Sequence, residues 1–325
     1  MQSWIPRKST FRQIGFLSIA LLIFFAYGCS RTQFAYRNAD WLLEAYAAKT
    51  LAASDEQIEQ WRPTLSHTLE IHQRELLPLI IDYLDLLDRA SRFPEDTIRL
   101  DCTLDAGIYL YERHAQLAVD LAIPLLASLD SSQVRYLAES LAKDQEKLRK
   151  QFLKDDPEDQ HNARVERFIA QTEKWTGTLN DKQVHVLDQA VRSIPDLSEL
   201  WLDYRAQQIR GLLDILEAGP DTTPLRQHLN GWWVRLDHRS PEYVRDWNAA
   251  KQGFNQFLQQ LLPTLTAKQQ TRIHTQITAL RRDLEALLTT APQPGNPPEM
   301  FLCFDESSRD QSPDANIVNK RLVYL

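Results

Sequence analysis

Nine glycines are spread over 325 residues, and beyond residue 28 no two of them stand closer than eight apart. Hairpins, bulges and tight β-turns need glycine where the backbone must take positive φ or come close to a neighbour. A chain this poor in glycine has little with which to turn a sheet. Helical periodicity is plain in its place: Val134, Leu137, Leu141, Leu148 and Phe152 share one face through charged surroundings, as do Ile273, Ile277, Leu280, Leu284 and Leu287. Tyr243, Val244, Trp247, Phe254, Phe257, Leu258 and Leu261 form a third stripe. The run from Leu76 to Leu87 is apolar nearly all round and belongs at the centre of a bundle. The expectation is an all-α, elongated bundle of about eight to ten helices. They lie near 38–50, 54–91, 95–128, 131–154, 157–177, 180–194, 196–218, 222–238, 241–262 and 266–289, the shorter ones free to merge. Pro63, Pro78 and Pro124 fall inside these runs and should kink or restart them, since proline removes a donor and crowds the preceding turn. From Ala291 the composition shifts: Pro292, Pro294, Pro297 and Pro298 break any helix, and 291–325 reads as a mostly irregular tail after a helical domain at 29–290.

The amino terminus carries an address. Arg7, Lys8 and Arg12 precede an apolar run from Ile14 to Tyr27, too short to span a bilayer comfortably and well matched to a secretory signal. Ala26-Tyr27-Gly28-Cys29 resembles the lipobox of bacterial lipoproteins. That resemblance implies a signal peptide at 1–28, cleaved ahead of Cys29, and acyl chains (palmitate among them) joined to Cys29. The alternatives are a plain secreted chain or an uncleaved anchor. Two or three acyl chains hold a protein to a membrane stably where one does not. Ser30, in place of an acid, resembles the sorting pattern that forwards lipoproteins to the outer membrane, where this chain would face the periplasm.

Removing 28 residues leaves 297, with 34 bases against 44 acids. No basic stripe stands out, which argues against nucleic acid as a partner. Beyond Cys29 the only cysteines are Cys102 and Cys303; in an oxidising compartment they either pair, pinning the tail to the body, or stay as separate thiols.

One motif recurs. Leu129-Asp130-Ser131-Ser132-Gln133, Leu179-Asn180-Asp181-Lys182-Gln183 and Leu265-Thr266-Ala267-Lys268-Gln269 each place a capping residue three before a glutamine, and Ser54 to Gln57 does so without the leading Leu. This is the pattern of a capping box. Leu265 to Gln269 is also similar to the signature of LTxxQ-type periplasmic chaperones, small all-α dimers that cradle unfolded clients. A broader likeness begins at Cys29 and Phe34-Ala35-Tyr36-Arg37-Asn38-Ala39-Asp40-Trp41-Leu42-Leu43. It continues through His72-Gln73-Arg74-Glu75-Leu76-Leu77-Pro78 and Trp175 to Gln183, as far as about Leu288. It resembles an uncharacterised family of Gram-negative lipoproteins, a domain of unknown function. That likeness implies location and helical fold, not chemistry.

Enzymatic signatures are weak. The clustered glycines of nucleotide loops and the Gly-x-Ser-x-Gly elbow are absent from the sequence. Glu158 and His161 make one Glu-x-x-His pair where a di-metal bundle needs two, so no metal or other cofactor is expected. His67 and His72, about 140° apart on a helix, read as solvated or capping residues. His72, Arg74, Glu75 and Asp82 could make a polar patch. Asp82, Asp85 and Asp88 are either a solvent edge or paired carboxylates. Trp232, Trp233 and Arg235 are candidates for partner contact, with one indole expected in the core and the other partly open. The reading is a non-enzymatic, lipid-anchored protein that binds protein in envelope maintenance. The alternatives are an LTxxQ-like chaperone or stress sensor, and a peptidoglycan-binding or cell-wall-active protein.

Overall fold

The computed structural model describes residues 31–93, 96–219 and 221–288, and among these it is all helix, with no strand. Eleven helices follow one another: α1 (Arg31–Arg37), α2 (Ala39–Leu51), α3 (Asp55–Ile71, a π-helical turn His72–Leu76, then Leu77–Arg92) and α4 (Thr97–Ala127). Then come α5 (Ser131–Phe152), α6 (Pro157–Thr176), α7 (Asp181–Ser193) and α8 (Ser198–Ala218). The last are α9 (Thr222–Leu229 with a π-helical turn Asn230–Val234), α10 (Pro241–Leu261, ending in a 3₁₀ turn Leu262–Thr264) and α11 (Ala267–Leu288). Ten of these correspond to the ranges expected from periodicity. The extra one is α1, seven residues set off from α2 at Asn38; its apolar residues divide between two faces, so a one-stripe search passes over it.

Three apolar clusters make the core. The largest joins the second half of α3 to α6, α7, α10 and α11 through Leu77, Ile81, Leu84, Leu187, Phe257, Ile273 and Leu284. A second joins α4, α5, α8 and α9 through Val119, Leu137, Leu212 and Leu229. A third seats α2 on the first half of α3 and on α4 through Ala47, Trp61, Leu65 and Leu125. Helix α3 spans two clusters, its first half contributing Trp61 and Leu65 to the third and its second half Leu77, Ile81 and Leu84 to the first.

Two of the three prolines do not restart their helices. Pro63 and Pro124 lie inside α3 and α4, which continue through them. Only Pro78 coincides with a break in regular winding. The π-turn lies just before it, and the Leu77 N–H reaches back five residues to the His72 carbonyl. A residue inserted into the turn ahead of a proline relieves the crowding that the ring causes.

The recurring glutamines do more than cap. Ser54/Gln57, Asp130/Gln133, Asn180/Gln183 and Thr266/Gln269 each form the reciprocal capping box. The glutamines then bond to one another in pairs. Gln57 and Gln133 exchange amide hydrogen bonds of 2.9 and 2.7 Å, and each also donates to a carbonyl of the turn before the other's helix, at Ser128 and Ala52. Gln183 and Gln269 do the same at 2.9 and 3.0 Å, donating to Thr264 and Thr178. Two pairs of helix starts are thereby locked head to head by one device used twice.

Candidate functional site

A cavity of about 570 Å³ opens between α4, the end of α5, α6, the α7–α8 connection and α10. Its wall is aromatic: Phe152 and Trp201 meet edge to face at 5.8 Å, and Phe168, Tyr243, Trp247 and Phe254 complete it. Trp247 and Phe254 belong to the α10 stripe, but both remain exposed at the mouth while Tyr243, Phe257 and Leu261 go to the core. That stripe is wider than the core it serves. Gly253 sets the spacing here, because a Cβ at this position would stand 2.7 Å from Ile194 Cγ1 in the α7–α8 connection.

Charge at this cavity is uneven. Arg164 is half-buried and tied to the α7–α8 connection, donating to the Ile194 and Pro195 carbonyls at 3.0 and 3.3 Å, with Asp196 at 3.5 Å. Burial pushes its guanidinium below the usual arginine range, against the pull of Asp196. Burial alone would raise Asp196. The hydrogen bonds from Ser198 and Gln160, together with the Arg164 charge, hold it below the usual carboxylate range instead. Lys251 pairs with Asp105 at 2.5 Å. Arg167 lies over the Phe152 ring at 5.2 Å and makes one long bond, 3.5 Å, to the Gln151 carbonyl. Its guanidinium meets no carboxylate at salt-bridge distance among the described residues. The cavity therefore combines an apolar body with an available cation, the residue types that dominate protein-binding hot spots.

A second cluster sits where the π-turn of α3 meets α1 and α4. His114 Nδ1 is 2.6 Å from the Leu110 carbonyl, His72 Nε2 is 3.3 Å from His114 Nε2, and the Tyr36 hydroxyl is 3.0 Å from His72 Nδ1. A carbonyl only accepts, so with both rings neutral one arrangement satisfies all three contacts. His114 Nδ1–H donates to Leu110, His72 Nε2–H donates to His114, and Tyr36 O–H donates to His72. Burial raises Tyr36 to about 12, and burial followed by the facing His114 lowers His72 to about 4. The expectation that His72 is a solvated or capping residue is thus corrected: its partners come from α1 and α4, which periodicity along α3 alone does not see. His67 is exposed, as read.

The other expected residues fall as follows. Arg74 and Glu75 pair at 2.8 Å, with Arg113 of α4 at 3.6 Å from Glu75. Asp85 meets Arg281 at 2.9 Å and Asp88 meets Arg92 and His274 at 2.7 and 2.8 Å. Asp82 is raised by burial and then by Asp85. His161 bonds Asp188 at 2.6 Å, while Glu158 meets Arg192 at 3.5 Å. No group of three or more His, Cys, Asp or Glu is placed to hold a metal among the described residues. Trp232 and Trp233 are both half-buried, their rings 5.9 Å apart and packed on the second cluster. Arg235 is exposed and tied to Asp237 at 2.8 Å. Leu236 and His238 just beyond take positive φ of 54° and 63°. Cys102 is disulfide-bonded; Cys29 and Cys303, with the whole of 1–30 and 289–325, lie outside the described residues.

The profile of DUF6279, a family of unknown function, matches residues 49–232. The chain belongs to this family. Neither the curated proteins nor the solved structures gave a match.

Proposed function

We propose that this chain is a lipid-anchored, periplasm-facing lipoprotein of the outer membrane, without enzymatic activity, that binds an envelope protein through the aromatic cavity. The cavity carries the reading. Its wall offers Trp, Tyr and Phe faces to an apolar segment and Arg167 to an acidic neighbour on that segment. Its one carboxylate, Asp196, is held ionised by three partners and is poorly suited to proton transfer. The anchor rests on the basic leader, the short apolar run and Ala26-Tyr27-Gly28-Cys29. With the Cys29 sulfur acylated, Cys303 is the partner left for Cys102, which would tie the tail to α4.

The test is a photocrosslinking residue at position 247 in intact cells, with position 139 on α5 as control. The expected result is one or a few envelope proteins captured from 247 and not from 139; recovery of peptidoglycan fragments alone would favour the cell-wall reading. The apolar lining also favours a chaperone of the LTxxQ type. That reading requires suppression of aggregation of unrelated unfolded clients, lost in Trp201→Ala.

A further inference from the structure

The three most exposed large apolar side chains among the described residues are Tyr46 (66%), Trp41 (65%) and Phe34 (54%), and Leu42 (41%) stands beside them. All four lie on α1 and α2, which begin two residues along the chain from Cys29. The opposite side of the same helices is already committed. Leu43, Ala47 and Leu51 pack on the third cluster, and Tyr36 bonds His72. Helix α2 is consequently apolar on two faces, a pattern suited to burial or to lipid and not to a helix with one side in water.

The charges on the outer side agree. Arg31, Arg37 and Lys49 are exposed there against one exposed acid, Asp40, in a chain of net charge −7. The other acid of α2, Glu44, is taken up by two bonds from Arg62 at 2.7 and 3.1 Å. Phe, Trp and Tyr among basic residues are the composition that seats proteins at the headgroup level of a bilayer. No described helix is long and apolar enough to cross a membrane, so these two would lie along it.

The geometry points to α1 and α2 as a membrane seat: Phe34, Trp41, Leu42 and Tyr46 enter the interface of the bilayer that holds the acyl chains, and Arg31, Arg37 and Lys49 meet its anionic headgroups. This rests on the proposed lipid anchor. It adds that the body is laid against the membrane in a fixed orientation, instead of swinging on a tether.

The experiment uses the full chain as cells process it, mixed with phosphatidylethanolamine–phosphatidylglycerol vesicles containing brominated lipid. Quenching of tryptophan fluorescence is compared between wild type and Trp41→Phe, whose difference reports Trp41. Intact mass of the same sample reports acylation at Cys29. The expected result is an acylated chain in which the Trp41 signal is at least halved by brominated lipid. Phe34→Ser/Tyr46→Ser, at exposed positions and with circular dichroism as the check that the fold is kept, should weaken that quenching severalfold. An acylated chain with Trp41 unquenched overturns the seat and leaves the anchor standing. An unacylated chain whose Trp41 is still quenched overturns the anchor and supports the seat. If Trp41 is shielded but unquenched, and ultracentrifugation shows a dimer that Trp41→Ser dissociates, a second copy covers this face and the seat is wrong.

Discussion

A glutamine side chain carries two amide hydrogens and one acceptor oxygen, and Gln183, 0% exposed, spends all of them on Thr264, Gln269 and its own cap. Truncating it strands partners that are themselves out of water, and each stranded group costs about 1–3 kcal/mol. Gln183→Ala should therefore lower stability by roughly 2–4 kcal/mol in urea unfolding. Gln57→Ala, at the more exposed pair, should cost less. A double-mutant cycle of Gln183 and Gln269 should be non-additive by at least about 0.5 kcal/mol. The capping box was legible from the spacing of Asn180 and Gln183. Its pairing with another box 86 residues away was not, because nothing local encodes which helix start comes to face which. His72 gives a second outcome at this scale. An unfolded histidine takes up its proton near pH 6.5, and folded His72 does so only near 4. Between these values the unfolded chain binds more protons, so stability is full above about pH 6.5 and falls as pH drops toward 4. Melting temperature measured across this window should decline in the wild type and decline less in His72→Gln.

At the scale of elements, α3 shows how far a sequence pattern reaches. The apolar run from Leu76 to Leu87 and the capping residue Ser54 locate the helix, while its π-turn depends on how Pro78 is accommodated within a helix packed on several sides. Prolines at 63 and 124 meet the same covalent constraint without ending their helices, since packing on α2, α4 and α9 outweighs the loss of one bond each. The seam between α10 and the α7–α8 connection is tight at Gly253. Gly253→Ala puts a methyl group 2.7 Å from Ile194 Cγ1 and should cost about 1–3 kcal/mol. The double variant with Ile194→Ala should cost less than the sum of the singles, which thermal unfolding of the four proteins checks. Gly177, which closes α6 at φ +76°, accounts for the glycine of the Trp175 segment by backbone conformation alone.

Among the described residues, three clusters joined by α3 and α4 leave an aromatic cavity and an aromatic outer strip on different helices. If the anchor reading holds, Cys29→Ser should leave the precursor uncleaved and unlabelled by fatty acid, seen as a slower band on a gel. Peptide mapping without reductant should find Cys102 joined to Cys303; a Cys102 joined to Cys29 would contradict acylation of that sulfur.

Scarce glycine, helical periodicity and capping boxes are properties of neighbouring residues, so the sequence by itself settled the all-α class and the ends of ten helices to within a few residues. Which apolar side chains are core and which are surface is a property of helix pairs. Only the tertiary structure could turn Tyr36 onto His72 while leaving Trp41 in the open, join His114 to His72, and leave Trp247 at a cavity mouth. A helix reports its own period, but a neighbour 40 or 200 residues away decides which side of it is wet.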